Sequence, residues 1–145
     1  MNTVTGAVLG FDYGATRIGV AVGQTITRTA SPVATLPASH GQPDWNEIAA
    51  LIAEWQAVAL IVGLPINMDG TPGTTTTAAQ RFARQLEGRF ALPVHLVDER
   101  LSSRAAEERL AVSHLPKKRR HDKRAVDAFA AQIILESWLN DRGNL

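Results

Sequence analysis

"GFDYGATRIGVAVG", from Gly10 to Gly23, is the stretch on which the reading of the fold turns. It overlaps the continuously apolar run "AVLGF" (Ala7 to Phe11), the pattern of a strand covered on both faces. An acid, Asp12, stands where that run ends; a turn carrying Gly14 follows, and "RIGVAVG" is a second apolar run. The pattern predicts strand, tight turn, strand. Asp12 itself admits three readings: a turn-former that bonds its own downstream backbone, a phosphate-loop acid, or a metal ligand.

Working outward, "TASPVATL" (Thr29 to Leu36) reads as a third strand, with Pro32 marking an edge or a bulge. Asp44 opens "DWNEIAALIAEW" as an N-cap, with Glu47 placed as in a capping box and Ile48, Leu51, Ile52 and Trp55 at helical spacing. "ALIVG" (Ala59 to Gly63) is a buried strand. The Pro-, Gly- and Asn-rich "LPINMDGTPG" is a turn region before a helix over roughly 75–89. "PVHLVDER" gives a fifth strand ending in two acids, Asp98 and Glu99. A short amphipathic helix "SSRAAEERLAV" is predicted from Ser102 or Ser103, and a last helix over "AVDAFAAQIILESWL" (Ala125 to Leu139). The order βββαβαβαα predicts an α/β fold: a five-stranded mixed sheet, three antiparallel strands followed by parallel ones, flanked by helices.

The 145 residues, 45% hydrophobic and 20% charged, suit a single globular domain over 1–145. No apolar run approaches the roughly 20 residues that span a bilayer, and the N-terminus lacks a signal-peptide pattern, so a cytoplasmic protein is expected. With no cysteine and only four histidines, any metal would be held mainly by oxygen donors. The net charge of +1 is uneven. Lys117, Lys118, Arg119, Arg120, Lys123 and Arg124 against Asp122 give 117–124 a charge of +5, which leaves −4 for the rest. Such a block is either a solvated loop or a phosphate-contacting patch.

Three acids sit where chemistry could use them. Asp12 ends the first strand. Asp98 and Glu99 end the fifth beside Arg100, where a local ion pair is the plain alternative and alternation alone does not say which acid points inward. Asp127 falls, at 100° per residue, with Ala130, Ala131, Ile134 and Trp138 on an apolar helical face. A carboxylate there must be paired, metal-bound or protonated. The plain alternatives are a first-turn acid favoured by the helix dipole, or pairing with Lys123 or Arg124. The ends of strands one and five and the last helix can meet at one sheet edge, the usual place for sites in such folds. Crowded carboxylates need a cation. Oxygen ligands suit Mg²⁺ or Mn²⁺, and a pair of such ions can drive phosphodiester hydrolysis.

Together, "GFDYGATRIGVAVG", "IVGLPINMDGTPG", "VDERLSS" and "KRAVDAFAAQIILESWL" resemble the bacterial YqgF (RuvX) family of pre-16S ribosomal RNA nucleases, also described as Holliday-junction-resolvase-like. The resemblance runs from about Gly6 to Leu139. It implies a ribonuclease H-like fold, processing of the 5′ end of the 16S ribosomal RNA precursor, and Mg²⁺ or Mn²⁺ held by Asp12, Glu99 and Asp127 as catalytic ligands. Asn67, Asp69 and Arg100 match family motifs and are read as lining the substrate. Arg17 is read as a phosphate contact or as a residue that closes the hairpin, and the basic residues Lys117, Lys118, Arg119, Arg120, Lys123 and Arg124 are read as phosphate contacts. Asp122 is the rival to Asp127 for the third ligand, and the "VDAFAA" match favours Asp127. The chain departs from the family pattern at Thr16, where lysine is common nearby, and in its unusually basic run. Expected partners are precursor ribosomal RNA, branched DNA and ribosome-assembly particles, with the protein a monomer or weak homodimer.

Two other classes compete with a nuclease. One is a non-catalytic ribosome-assembly factor that binds precursor RNA and recruits a nuclease, whereas a junction-resolving DNase is a close variant of the nuclease reading, since the same ions cut either backbone. The other is nucleotide binding, because "DYGATRIGVAVG" is similar to the first phosphate loop of the actin and sugar-kinase superfamily. Those proteins use a duplicated domain, which 145 residues do not supply.

Overall fold

The computed structural model describes residues 5–65, 73–99 and 123–143. Among them β1 (Ala7–Asp12), β2 (Arg17–Gln24), β3 (Thr29–Ser39) and β4 (Gln42–Pro43) precede α1 (Trp45–Trp55). Then come β5 (Ala59–Leu64), α2 (Thr74–Phe90), β6 (Val94–Asp98) and α3 (Lys123–Gly143). The predicted helix after Ser102 lies outside the described residues. No helix among the described residues is long and apolar enough to cross a membrane.

The strands form one sheet in the order β4-β3-β2-β1-β5-β6. β1 to β4 pair antiparallel, whereas β5 lies parallel to β1 and β6 parallel to β5. Among the described residues the sheet therefore has six strands where the sequence reading expected five. The extra one is a two-residue strand, Gln42–Pro43, paired with Ser39 and Ala38 across a turn in which His40 and Gly41 have positive φ. Two residues are too few to leave a periodic signal. Pro32 does sit at an irregularity: Val20 pairs with Ala34 and Ala21 with Pro32, so Val33 is the bulged residue.

Alternation divides the side chains between two cores. Leu9 and Phe11 of β1, Ile18, Val20 and Val22 of β2, and Leu60 and Val62 of β5 face α1 and α2. They pack with Ile48, Phe82 and Leu86. Asp44 caps α1 by accepting from the backbone N–H of Asn46 at 2.9 Å, as its type and place in sequence predict. The opposite face, with Val8, Ala21, Ala59 and Ile61, packs against Ala131, Ile134, Leu135, Trp138 and Leu139 of α3.

That second face carries glycines where α3 crosses. A Cβ on Gly10 would lie 3.0 Å from Leu135 Cβ and 3.3 Å from the Ala131 carbonyl oxygen. One on Gly19 would overlap the Asp127 carbonyl oxygen. Glycine inside a strand thus marks backbone-to-backbone approach, which any side chain would block. Replacing Gly19 by alanine should force α3 away from β2 and destabilise the protein by about 1–3 kcal/mol, the usual range for overpacking. Urea denaturation of Gly19→Ala measures it, and an unchanged midpoint would contradict the close approach.

Candidate active site

The site follows from strand parity. Asp12 shares the face of Val8 and Gly10, and so points to the α3 side of β1. On β5 the same face holds Ala59, Ile61 and Gly63. On the β6 side it holds His95, whose ring lies 5.4 Å from that of Trp138, then Val97 and, by continuation, Glu99. Glu99 folds over Gly63: a Cβ there would stand 2.7 Å from Glu99 Oε1 and 2.5 Å from Ile134 Cδ1. Asp98 has the other parity and is exposed. The structure thus selects Glu99 over Asp98 as the inward acid.

Asp12 and Glu99 are hydrogen-bonded to each other through their side chains. Two carboxyls can do this only by sharing a proton. Burial is the main reason that both hold protons above the ordinary carboxylate range; Asp127 raises Asp12 further, and Glu99 is pushed up to about 9. The negative charges of Asp12 and Asp98 add to the effect on Glu99.

Asp127 comes from α3, at the point where the helix backbone rests on Gly19. Gly19 is the register partner of Asp12, which explains how a helix acid comes near a strand acid. Its carboxylate accepts from Arg17 Nε at 2.6 Å, with side chains 21% and 39% exposed respectively. This partner lies 110 positions earlier in the chain, beyond the reach of the local alternatives that the sequence offers. Among the described residues, no three acids or histidines stand ready together to hold a metal ion. Asp12 and Glu99 are in contact, while Asp127 acts on Asp12 only through its charge.

The turn between Asp12 and Arg17 is braced by the β3–β4 turn. Tyr13 donates its hydroxyl to the Gly41 carbonyl at 2.9 Å, Gly41 N–H donates to Ala15 at 3.0 Å, and Ala38 N–H donates to Thr16 at 2.9 Å. The Tyr13 ring packs on Phe82, 4.9 Å between centroids, on the opposite side of the sheet. Gly14 is required inside this turn, where a Cβ would meet the Arg17 carbonyl oxygen at 2.6 Å. Sequence reading singled out Gly14 but passed over Gly19, Gly63 and the bracing role of Tyr13. The alternation of glycine with apolar residues in "RIGVAVG" was the available sign for Gly19. Gly63 gave a weaker one, a glycine ending an apolar strand.

Asn67, Asp69, Arg100, Lys117, Lys118, Arg119 and Arg120 lie outside the described residues, as does Asp122. Lys123 and Arg124 form the first turn of α3.

A family model described as "RuvX: Holliday junction resolvase" matches residues 6–141. A protein of Coxiella burnetii (strain Dugway 5J108-111) named "Putative pre-16S rRNA nuclease" is 49% identical over 136 residues, 94% of each chain. One of the same name from Pseudomonas paraeruginosa is 51% identical over 138 residues, also 94% of each. Among solved structures, T. thermophilus RuvC in complex with a Holliday junction substrate superimposes with a TM-score of 0.60 at 15% identity, covering 94% of this chain and 96% of that one. The Fowlpox virus resolvase with Holliday junction DNA gives 0.52 at 10% identity, covering 94% and 98%. These likenesses establish the ribonuclease H-like fold.

The proton shared by Asp12 and Glu99 has a consequence for stability. Between pH 4.5 and about 9 the unfolded chain has lost the Glu99 proton that the folded protein keeps, so stability falls as pH rises through that window. In chelator, melting temperature should decline from pH 5 to 9, and Glu99→Gln should flatten the decline. A slope unaltered by the substitution would show that Glu99 does not carry the shared proton.

Proposed function

The chain belongs to the RuvX family, and we propose that it is a divalent-metal-dependent endonuclease that processes the 5′ end of the 16S ribosomal RNA precursor by phosphodiester hydrolysis. The observation that carries this reading is the Asp12–Glu99 pair: two carboxyls that meet across the end of β5 from the ends of β1 and β6, on the face from which α3 contributes Asp127. This donor set fits Mg²⁺ or Mn²⁺. It offers hard oxygen ligands, and only a proton or a cation can offset two acids so placed. The chemistry that a pair of such ions supplies is activation of water and stabilisation of charge on the departing 3′ oxygen.

In this reading Asp12 and Glu99 hold the cations and Asp127 is the third ligand. The braced turn keeps Asp12 and Arg17 at a constant separation. Arg17, Asn67, Asp69 and Arg100 orient the strand near the scissile phosphate. Lys117, Lys118, Arg119, Arg120, Lys123 and Arg124 neutralise flanking phosphates, so RNA binding weakens steeply with salt. On this reading the protein acts in the cytoplasm beside ribosome-assembly particles, as a monomer or weak homodimer. A second reading, cleavage of four-way DNA junctions, is favoured by the family's description and by the junctions bound to both structural neighbours.

One comparison decides between them. Precursor 16S RNA and a four-way DNA junction are incubated with the protein, Asp12→Asn and Asp127→Asn, in Mg²⁺, Mn²⁺ or chelator. Metal-dependent cleavage of the RNA is expected, and each substitution should slow it by more than about a hundredfold, the upper end of what indirect disturbance of metal ligation costs. Cleavage of the junction alone replaces the RNA reading with the DNA one. RNA binding without any cleavage replaces both with a non-catalytic assembly factor.

A further inference from the structure

We infer that Arg17 is an exchangeable counter-ion for Asp127: it holds the third acid away from the Asp12–Glu99 pair and yields it when a divalent cation binds, which frees the guanidinium for a substrate phosphate. The inference rests on the metal-dependent reading above and adds to it a named residue that couples cation binding to phosphate binding.

Three observations carry it. The Asp127 carboxylate is engaged by Arg17 Nε at 2.6 Å, a charge-assisted bond short enough to fix the acid's orientation. The other two acids of the constellation already meet side chain to side chain, whereas Asp127 bears on Asp12 through its charge. Both ends of the ion pair stand on rigid backbone. Arg17 follows a turn held by the hydrogen bonds of Tyr13, Ala38 and Gly41, and Asp127 sits where α3 rests on Gly19. The exchange thus requires only side-chain rotation. The Arg17 side chain is 39% exposed, open enough to be approached by solvent or a ligand, so the bond is not locked by burial.

Arginine suits the role because its planar fork can leave a carboxylate for a phosphate with the same hydrogen-bond geometry. A divalent cation attracts Asp127 with twice the charge of Arg17 and is hard enough to prefer carboxylate oxygen. Each guest therefore removes the competitor of the other: the cation takes Asp127 from Arg17, and the phosphate takes Arg17 from Asp127. Linkage makes the effect reciprocal.

The test is a double-mutant cycle read by Mn²⁺ titration calorimetry without nucleic acid, using the protein, Arg17→Gln, Asp127→Asn and the double variant. Arg17→Gln should tighten Mn²⁺ binding by about fivefold or more when Asp127 is present and by less than about twofold when it is asparagine. Equal tightening in both backgrounds would mean that Arg17 acts only as a nearby positive charge, and weaker binding would make it a support for the metal-bound arrangement; either result overturns the inference. A second readout is the ¹H–¹⁵N signal of Arg17 Nε. It should shift on adding Mg²⁺ with the midpoint of cation binding, and an unmoved signal at saturation overturns the exchange. If the unsubstituted protein binds neither cation, the metal-dependent reading falls with it, an outcome distinct from failure of the cycle alone.

Discussion

Where β2 passes beneath α3, the carbonyl oxygen of Asp127 occupies the volume that a methyl group on residue 19 would fill. The site depends on that contact. Helices normally stand off a sheet by the length of their side chains, and a site spread across such a gap would need long acids to close it. Here the helix backbone touches the strand backbone, and the short aspartate side chain suffices. Gly19 faces Asp12 in the β1–β2 register, so the absence of one side chain brings an acid of the last helix beside an acid of the first strand. The apolar residues along α3, from Ala131 to Leu139, extend the same seam over β1, β2 and β5 and hold it closed.

Gathering carboxylates in this way works against folding. Burial and mutual repulsion raise the proton affinity of Asp12 and Glu99, and the folded protein answers with one shared proton and one arginine. Such a local conflict is tolerated because the two cores on either side of the sheet supply the stability that the site withdraws. A rigid surround also makes the conflict useful. The acids cannot relax apart, so a cation that offsets them meets groups already in place.

Much of the architecture was legible in the chain. Asp44 before "WNEIAALIAEW" marks a helix start because an aspartate can bond the first free N–H groups, and it does so. Pro32 signalled disorder in a ladder because it has no N–H to give, and Val33 bulges beside it. The sixth strand escaped notice because two residues carry no period. The helical wheel put Asp127 on the buried side, which is near the truth: it stands at the rim of that side, 21% exposed, and its neighbours Ala131, Ile134 and Trp138 are in the core. Its pairing with Arg17 could not be found from the wheel, since local spacing offers only Lys123 and Arg124, and Arg17 stands 110 positions away.

The sequence by itself determined the order of elements, the apolar character of both sheet faces, and the standing of acids at the ends of β1 and β6. These are local properties, written in the period of the pattern and the chemistry of single residues. Which acids meet was decided only by tertiary structure. A strand's alternation sorts its residues into two sets but is the same whichever way the sheet is turned, so it separates Asp98 from Glu99 without saying which is inward. That was settled when α3 covered one face and lay on Gly19. The same crossing gave Asp127 its arginine and left Asp12 and Glu99 to share a proton.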